Sequence, residues 1–521
     1  MSRRGRETDR RDREGFSHKT EEGRAVKDGR EAVLLALLSH EKNQTFSNVL
    51  TKRTLDGCAG MRTGEKAFIK RLLEGVIERR IELDGRIEDL TGRSVSRLHP
   101  AVRQILRMGL YQILYMDAVP VSAACNESVR LAKKHAPARL SGFVNGVLRN
   151  AARQTSGPPA GQIQTSGLSA GQIRTSGPPA GQIRTSAPTE AASAGGDEWV
   201  RLCERQYSTP GWLIRMWEEE LGRQETEDLL ASLMEIRSVS ARFCGDPDEE
   251  KREKLFADLA SAGAAVEKGR WTGNSFRLHR TSDLRFLPGF REGLWTVQDE
   301  SSMLAVEAAG LEGNETVYDV CAAPGGKSFL AADLLRQRHS HKGGDSSAVG
   351  RVYSFDLTER KTAAIREGAK RLHLPNVIAA ARDARVPVPA EEAAADVLFC
   401  DLPCSGLGVI GKKRDIKYRA SLEGIESLQK LQRQILRNTV LYLKPGGILI
   451  YSTCTISRRE NEENAAFIES ELGLVPDDLA PFLPENIPGI RGNRIQLLPH
   501  VHGTDGFFIA RFRKKEDSSA G

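Results

Sequence analysis

The stretch Val317-Tyr318-Asp319-Val320-Cys321-Ala322-Ala323-Pro324-Gly325-Gly326-Lys327-Ser328 decides how the second half of this chain is read. It opens as an apolar, strand-like run with Asp319 inside it. Gly325 and Gly326 follow, and glycine lets a backbone approach a ligand closely. The residues after them open a helix, whose first N–H groups face a polar or anionic group. The spacing is not that of a P-loop, because Gly325 lies only two residues before Lys327. Nor does it match the dinucleotide Gly-x-Gly-x-x-Gly. From Pro288 onward, strand and helix patterns alternate, which predicts a parallel doubly wound sheet. The predicted strands are 316–321, 351–356, 376–381, 396–401 and 447–452, with a last one at 507–512. Ligands of such sheets bind beyond the carboxyl ends of the strands.

Asp319, Asp356, Asp383 and Asp401 all fall at predicted strand ends. One aspartate in such a place commonly caps a helix. Four at successive strand ends point to a ligand. Asp356 is placed to accept the ribose hydroxyls of a nucleoside cofactor, and Asp383 to meet its adenine end. Two cysteines lie beside this pocket, Cys404 in Asp401-Leu402-Pro403-Cys404-Ser405-Gly406 and Cys454 in Ser452-Thr453-Cys454-Thr455. A buried structural cysteine is the commoner case. Here both follow apolar runs onto loops, where function collects. A thiolate that attacks C6 of a pyrimidine turns C5 into an enamine carbon able to take a methyl group. Asp401 is placed to act as the acid at ring nitrogen N3, if its carboxyl is protonated or shares a proton.

The rest of the chain sets the context. With 521 residues, 39% hydrophobic and 28% charged, it has ordinary soluble composition and room for two to four domains. A net charge of +7 permits contact with a phosphate backbone without requiring it. Eight cysteines without paired spacing argue for a reducing cytoplasm and against a disulfide framework. The Cys400–Cys404 spacing has no second pair, so no metal site is expected. No signal peptide and no membrane span are expected either, since no apolar run of sufficient length occurs.

Six segments follow from the patterning. Residues 1–28 are a charged tail with acids and bases interleaved. Residues 29–153 show repeated helical periodicity, as in Val102, Ile105, Leu106, Leu110, Ile113 and Leu114, broken at Pro100, Pro120 and Pro137. Residues 154–197 hold a decamer repeat, Thr-Ser-Gly-Pro-Pro-Ala-Gly-Gln-Ile-Gln at 155–164 and its variants, which reads as a flexible linker. Residues 198–287 read as a small α+β module, 288–516 as the doubly wound domain and 517–521 as a tail.

The doubly wound half resembles the RNA cytosine-5 methyltransferases that use S-adenosylmethionine. The resemblance rests on Gln298-Asp299-Glu300-Ser301-Ser302, Asp319 to Lys327, Asp401 to Gly408 and Ser452 to Thr455. It implies a Rossmann-like domain in which Cys454 is the nucleophile, Cys404 assists product release and Asp401 activates the base. It also implies a cofactor site at Cys321, Ala322, Ala323, Pro324, Gly325, Gly326, Lys327, Asp356, Asp383 and Asp401. The helical domain resembles the NusB fold, an RNA-binding module, through Ala136 to Arg149. The fusion of the two is similar to the bacterial RsmB (Sun, Fmu) family, which methylates a cytosine of small-subunit (16S) ribosomal RNA. That likeness implies a cytoplasmic monomer acting on 16S RNA free of, or partly assembled with, ribosomal proteins, and no membrane partner. One departure is Gly411-Lys412-Lys413-Arg414 before Asp415-Ile416-Lys417, where the family often carries Arg with His-Pro or Lys-Pro.

Two other readings compete. One is a NusB-like RNA-binding or assembly factor with a vestigial catalytic half, or a cytosine-5 enzyme for another RNA. The other is an exocyclic-amine methyltransferase, which uses an Asp/Asn-Pro-Pro-aromatic loop where this chain has Asp-Leu-Pro-Cys. The linker reading has a direct test. Deleting 157–186 is expected to leave methyl transfer within a few fold, and a hundredfold loss would show a structured element there.

Overall fold

The computed structural model describes residues 28–43, 45–155, 196–235, 238–279, 283–343 and 348–516. Of the tail at 1–28, the linker at 154–197 and the tail at 517–521 predicted from sequence, residues 1–27, 156–195 and 517–521 lie outside the described residues. The chain forms two compact units, Met1–Glu219 with Lys413–Tyr418, and Glu220–Lys412 with Arg419–Gly521.

The first unit is helical, as its periodicity predicts. It contains α1 (Gly29–Asn43), α2 (Ser47–Gly57), α3 (Thr63–Glu78), α4 (Arg80–Thr91), α5 (Pro100–Tyr115), α6 (Val121–His135) and α7 (Leu140–Thr155). Pro100 opens α5 where its missing N–H has no partner to lose. The helix is buried almost continuously from Ala101 to Gln112. Neighbouring helices contribute Leu34, Leu72, Leu73, Leu83, Ile87, Val144 and Leu148 to one core. Gly109 is needed there, because a Cβ would stand 2.6 Å from Leu148 Cδ1.

Two further helices, α8 (Gly196–Tyr207) and α9 (Gly211–Leu221), divide the module expected at 198–287. Residues up to Glu219 cluster with the helical unit. The reason is local. Trp199, Val200 and Cys203 of α8 are buried, and Ser208 Oγ accepts the Ile81 amide of α4 at 2.9 Å.

The Lys413–Tyr418 segment belongs to this unit as well. Asp415 is 1% exposed and accepts the Ser47 amide at 3.0 Å and the Ser47 hydroxyl. Arg414 pairs with Glu78. Tyr418 donates to the Glu78 carbonyl at 2.7 Å, and Arg80 lies over its ring. Burial draws the Lys417 ammonium down to about 7.

The second unit begins with α10 (Arg223–Leu233) and a small antiparallel sheet. Its strands are β1 (Val239–Phe243), β2 (Ala265–Lys268), β3 (Ser275–His279) and β4 (Trp295–Val297), in the order β2-β3-β1-β4. Helix α11 (Glu249–Ser261), capped by Asp248, supplies Leu255 and Leu259 to a core with Phe243, Phe276 and Trp295.

The large sheet follows α12 (Glu300–Glu307). It contains β5 (Thr316–Asp319), β6 (Arg351–Asp356), β7 (Val377–Ala381), β8 (Ala395–Asp401), β9 (Leu443–Thr453), β10 (Val475–Pro476), β11 (Arg494–Leu497) and β12 (Phe507–Arg513). The order is β10-β12-β9-β8-β5-β6-β7, with β11 also on β12. The pairs among β5 to β9 are parallel, and β12 is antiparallel to β9. Helices α13 (Gly326–His341), α14 (Glu359–Arg371), α15 (Leu422–Thr439) and α16 (Glu462–Ser470) complete the fold. With helices on both faces, the central strands read as continuous apolar runs such as Leu398-Phe399-Cys400 and Leu449-Ile450-Tyr451, all fully buried. Strand order reverses between β5 and β8, which opens a crevice at their carboxyl ends.

A buried ion pair ties the two sheets of this unit together. Arg242 of β1 is 1% exposed and meets Asp333 of α13 at 3.0 Å. Its Nε donates to Gln298 at 2.8 Å, which fixes that side chain at the mouth of the crevice.

The Asp415 contacts carry a prediction. Asp415→Ala leaves the buried Ser47 amide and hydroxyl without an acceptor, at a cost of about 1–3 kcal/mol for each unsatisfied group. Hydrogen exchange of Ser47–Gly57 should speed up at least about tenfold. Unchanged protection would contradict the assignment.

Candidate active site

Strands β8 and β9 run parallel with Cys400 opposite Tyr451 and Asp401 opposite Ser452. Two strands in that register release their loops side by side. The Cys404 and Cys454 sulfurs consequently stand 3.3 Å apart. Further bonds join the loops. Gly408 donates to the Cys454 carbonyl at 3.1 Å, and Ser405 Oγ lies 2.6 Å from Thr455 Oγ1. Gly408 has no room for a side chain, since a Cβ would meet the Gly506 carbonyl oxygen at 1.8 Å.

The thiols differ in environment. The hydrogen bond to Cys454 holds the Cys404 thiol well above the ordinary value, and burial and the nearby charges of Glu460 and Asp401 add to this. Cys400 lies wholly inside and burial pushes it to about 12. Burial also raises Cys321. Those two thiols are poor nucleophiles.

Asp401 is not an isolated acid, as the sequence had suggested. Its Oδ2 accepts Lys327 Nζ at 2.6 Å and its Oδ1 accepts Ser452 Oγ at 3.2 Å. Lys327 is buried, with its ammonium 4.9 Å from the centre of the Phe507 ring.

Asp319 ends β5 and is 1% exposed. Its Oδ2 accepts Ser328 Oγ at 2.7 Å, while its Oδ1 has no partner among the described residues. Burial raises this carboxyl to about 7, against the lowering effect of Lys327.

A cavity of ≈ 240 Å³ lies at these strand ends. Asp319, Cys321, Ala322, Ala323, Pro324, Gly326, Lys327, Asp401 and Cys454 line it, joined by Gln298, Asp299, Asp505 and Phe507. Gly325 caps α13 from the left-handed region at φ 108°, where a Cβ would also strike Phe329. Cys404 touches the cavity through Cys454.

Asp356 and Asp383 do not line this cavity. Asp356 accepts the Ala323 amide at 3.0 Å, the Leu357 amide at 2.7 Å and Lys361 Nζ at 2.8 Å. It thus holds the glycine turn in place. Asp383 is engaged by Arg385 through two side-chain nitrogens and the backbone amide.

Several residues escaped the sequence reading. Lys412, quoted above only as part of a departure from the family pattern, bridges Asp299 and Asp505 at 2.7 Å each. Glu460 lies in a charged run yet is fully buried and accepts the Ser405 amide at 2.9 Å. Its place six residues after Cys454 was the available signal.

Among the described residues no cluster of His, Cys, Asp and Glu is arranged to hold a metal ion, and no helix is long and apolar enough to cross a membrane.

Known proteins place this geometry. Residues 307–513 match the family profile described as 16S rRNA methyltransferase RsmB/F, and residues 27–153 match the NusB family. A probable ribosomal RNA small subunit methyltransferase B of Bacillus subtilis (strain 168) is 33% identical over 93% of this chain and 98% of its own length. Its counterpart in Synechocystis sp. is 30% identical over 93% of this chain and 99% of its own length. The crystal structure of PH0851 shares the fold, with a TM-score of 0.67 at 22% identity, over 94% of this chain and all of that one.

The Lys412 bridge predicts a pH signature. Lys412 holds Asp299 down at about 2 against the raising effect of burial. Such a carboxylate stabilises the fold above its unfolded value and loses that contribution as pH falls through about 2. Lys412→Met removes the ammonium from two buried carboxylates, so their folded pKa values rise and the fold is penalised at neutral pH. The variant should lose roughly 1–3 kcal/mol at pH 7.5. Acidification to pH 5.5 should narrow its thermal deficit against the parent protein. A deficit equal at both pH values would contradict this electrostatic account.

Proposed function

We propose that this chain, which belongs to the ribosomal RNA small subunit methyltransferase B family, methylates C5 of one cytosine in small-subunit ribosomal RNA through a covalent Cys454–C6 adduct. The observation that carries the reading is the 3.3 Å approach of two thiols beside the Lys327–Asp401 pair. An amine-directed enzyme has no use for that arrangement.

The cavity fits the methyl donor, S-adenosylmethionine. Asp319 Oδ1 is buried and has no partner among the described residues, which suits a cationic ligand atom. Ala322, Ala323, Pro324 and Gly326 line the same cavity. Asp356 and Asp383 are the residues for the ribose and adenine. When bound, S-adenosylmethionine supplies an electrophilic methyl group on a sulfonium centre.

The chain's own residues divide the remaining work. Cys404 keeps the proton shared by the thiol pair, so negative charge falls on Cys454, which attacks C6. As the S–C6 bond forms, the ring electrons move toward C5, and N3 takes a proton from Lys327 through Asp401. C5 then gains the methyl group. Cys454, now a thioether, no longer accepts the Cys404 hydrogen bond, and the main cause of that thiol's raised pKa is gone. The Cys404 proton passes to water, and its thiolate removes the C5 proton. The electron pair restores the double bond and expels Cys454, and N3 returns its proton to the Lys327–Asp401 pair. Splitting the displacement this way replaces one hard step with easier ones.

Two measurements follow. Asp356→Ala should raise the dissociation constant for S-adenosylmethionine roughly ten- to a hundredfold, as for the loss of a charged hydrogen bond. Unchanged affinity by calorimetry rules out its role. On a denaturing gel with RNA and cofactor, Cys454→Ala should form no protein–RNA species. Cys404→Ala should accumulate one. The opposite pattern reverses the roles, and full activity in both variants excludes covalent catalysis. Bisulfite sequencing of RNA from a strain lacking the protein should show one lost methylcytosine in small-subunit ribosomal RNA.

A further inference from the structure

The turn between β9 and α16 buries a carboxylate that the mechanism above does not use. Glu460 is 0% exposed and, among the described residues, forms no ion pair with a lysine or arginine. Its Oε1 accepts the Ser405 amide at 2.9 Å and Gln432 Nε2 at 3.0 Å. Its Oε2 accepts the Ser405 hydroxyl. The same Gln432 nitrogen donates to the Pro403 carbonyl at 2.9 Å. Gln432 is fully buried on α15, and Asn464 Nδ2 holds its other end at 2.7 Å. Asn464 also donates to the Tyr451 hydroxyl at 3.0 Å, and that hydroxyl donates to the Glu460 carbonyl.

These bonds converge on two residues of the Cys404 loop. Pro403 and Ser405, the two neighbours of Cys404, are both held by the Glu460–Gln432 pair. Ser405 Oγ reaches onward to Thr455 Oγ1, next to Cys454. Cys404 itself makes no hydrogen bond in this network except to Cys454. Leaving a charge-capable group inside the protein costs free energy unless its bonds are satisfied. Here two of its three side-chain bonds run to Ser405 in the loop that carries one thiol, and the third comes from Gln432, which also holds Pro403.

We infer that Glu460 is a positioning residue for product release: by clamping Pro403 and Ser405 it fixes the Cys404 sulfur against Cys454 and hence against the C5 proton of the adduct. This rests on the cysteine roles proposed above. Cys454 directly follows β9, whose pairing with β8 and β12 extends to Ser452 and Thr453. Loosening the clamp should therefore spare attack and methyl transfer and slow elimination. A displacement near 1 Å at a reacting group costs on the order of a hundredfold in rate.

The test compares Glu460→Ala, Ser405→Ala, Glu460→Gln and Cys404→Ala, with full-length protein, RNA and S-adenosylmethionine. Single-turnover methyl transfer and survival of the protein–RNA species are read separately. Glu460→Ala should transfer the first methyl group within several fold of the parent, release RNA about ten- to a hundredfold more slowly, and accumulate the adduct. Ser405→Ala, which keeps the backbone bond, should show the same split more weakly and stands in if Glu460→Ala does not fold. Glu460→Gln retains an acceptor for the Ser405 amide, and its own amide can donate to the Ser405 hydroxyl, so release should be largely rescued. Equal slowing of transfer and release in Glu460→Ala and Ser405→Ala, or a Glu460→Gln variant as slow as Glu460→Ala, overturns the inference. If Cys404→Ala traps no adduct, the cysteine roles fail. If it traps adduct and the Glu460 and Ser405 variants do not, the positioning claim alone fails.

Discussion

The parallel register that β8 and β9 hold from Val397 opposite Ile448 to Asp401 opposite Ser452 is the constraint on which the site depends. A parallel ladder fixes which residues lie opposite one another. With Asp401 opposite Ser452, the loops that follow leave from the same edge of the sheet. A slip of one residue would turn every side chain of a strand to the other face. That error would put Leu398, Phe399 and Ile450 out of their cores and separate the two thiols. The apolar burial that stabilises the central strands thus also sets the sulfur–sulfur distance. The strand reversal beside β5 opens the space that the thiols face.

Burial then sorts the acids and thiols into roles. Asp319, Asp401 and Asp356 converge at neighbouring strand ends, where burial, with the charges of the other two, disfavours ionisation of Asp319. Lys327 offsets part of that repulsion from inside the fold. Lys412 does the same for Asp299 and Asp505 at the rim. Glu460 has no lysine or arginine partner among the described residues, and hydrogen-bond donors from Ser405 and Gln432 take that place. Burial raises the Cys400 and Cys321 thiols, while Cys404 and Cys454 stand within hydrogen-bond distance of each other.

Much of this was legible in the sequence. Alternating strand and helix patterns, together with four aspartates at strand ends, located the sheet and its crevice. Strand β9 nevertheless starts at Leu443 rather than 447, because Lys444 to Gly447 joins the ladder across an irregular register that polarity disguises. The grouping of α8 with the helical unit rests on contacts that the sequence does not display. Pairings across long separations were not readable at all. Lys412 and Glu460 look like surface charges within their own segments. Their partners, Asp299 and Ser405, lie 113 and 55 residues away. The Lys327–Asp401 bond spans 74 residues and changes what Asp401 can do.

The central claim is that Cys454 bonds to C6 of a cytosine, with Cys404 needed to remove the C5 proton. The most direct measurement uses RNA carrying 5-fluorocytidine at the methylated position, where C5 has no proton to lose. Incubated with the parent protein and S-adenosylmethionine, digested and analysed by mass spectrometry, this RNA should yield a stable adduct of one methylated fluorocytidine on the peptide containing Cys454. An adduct on the peptide containing Cys404, or methyl transfer to the RNA with no protein adduct, would contradict the account.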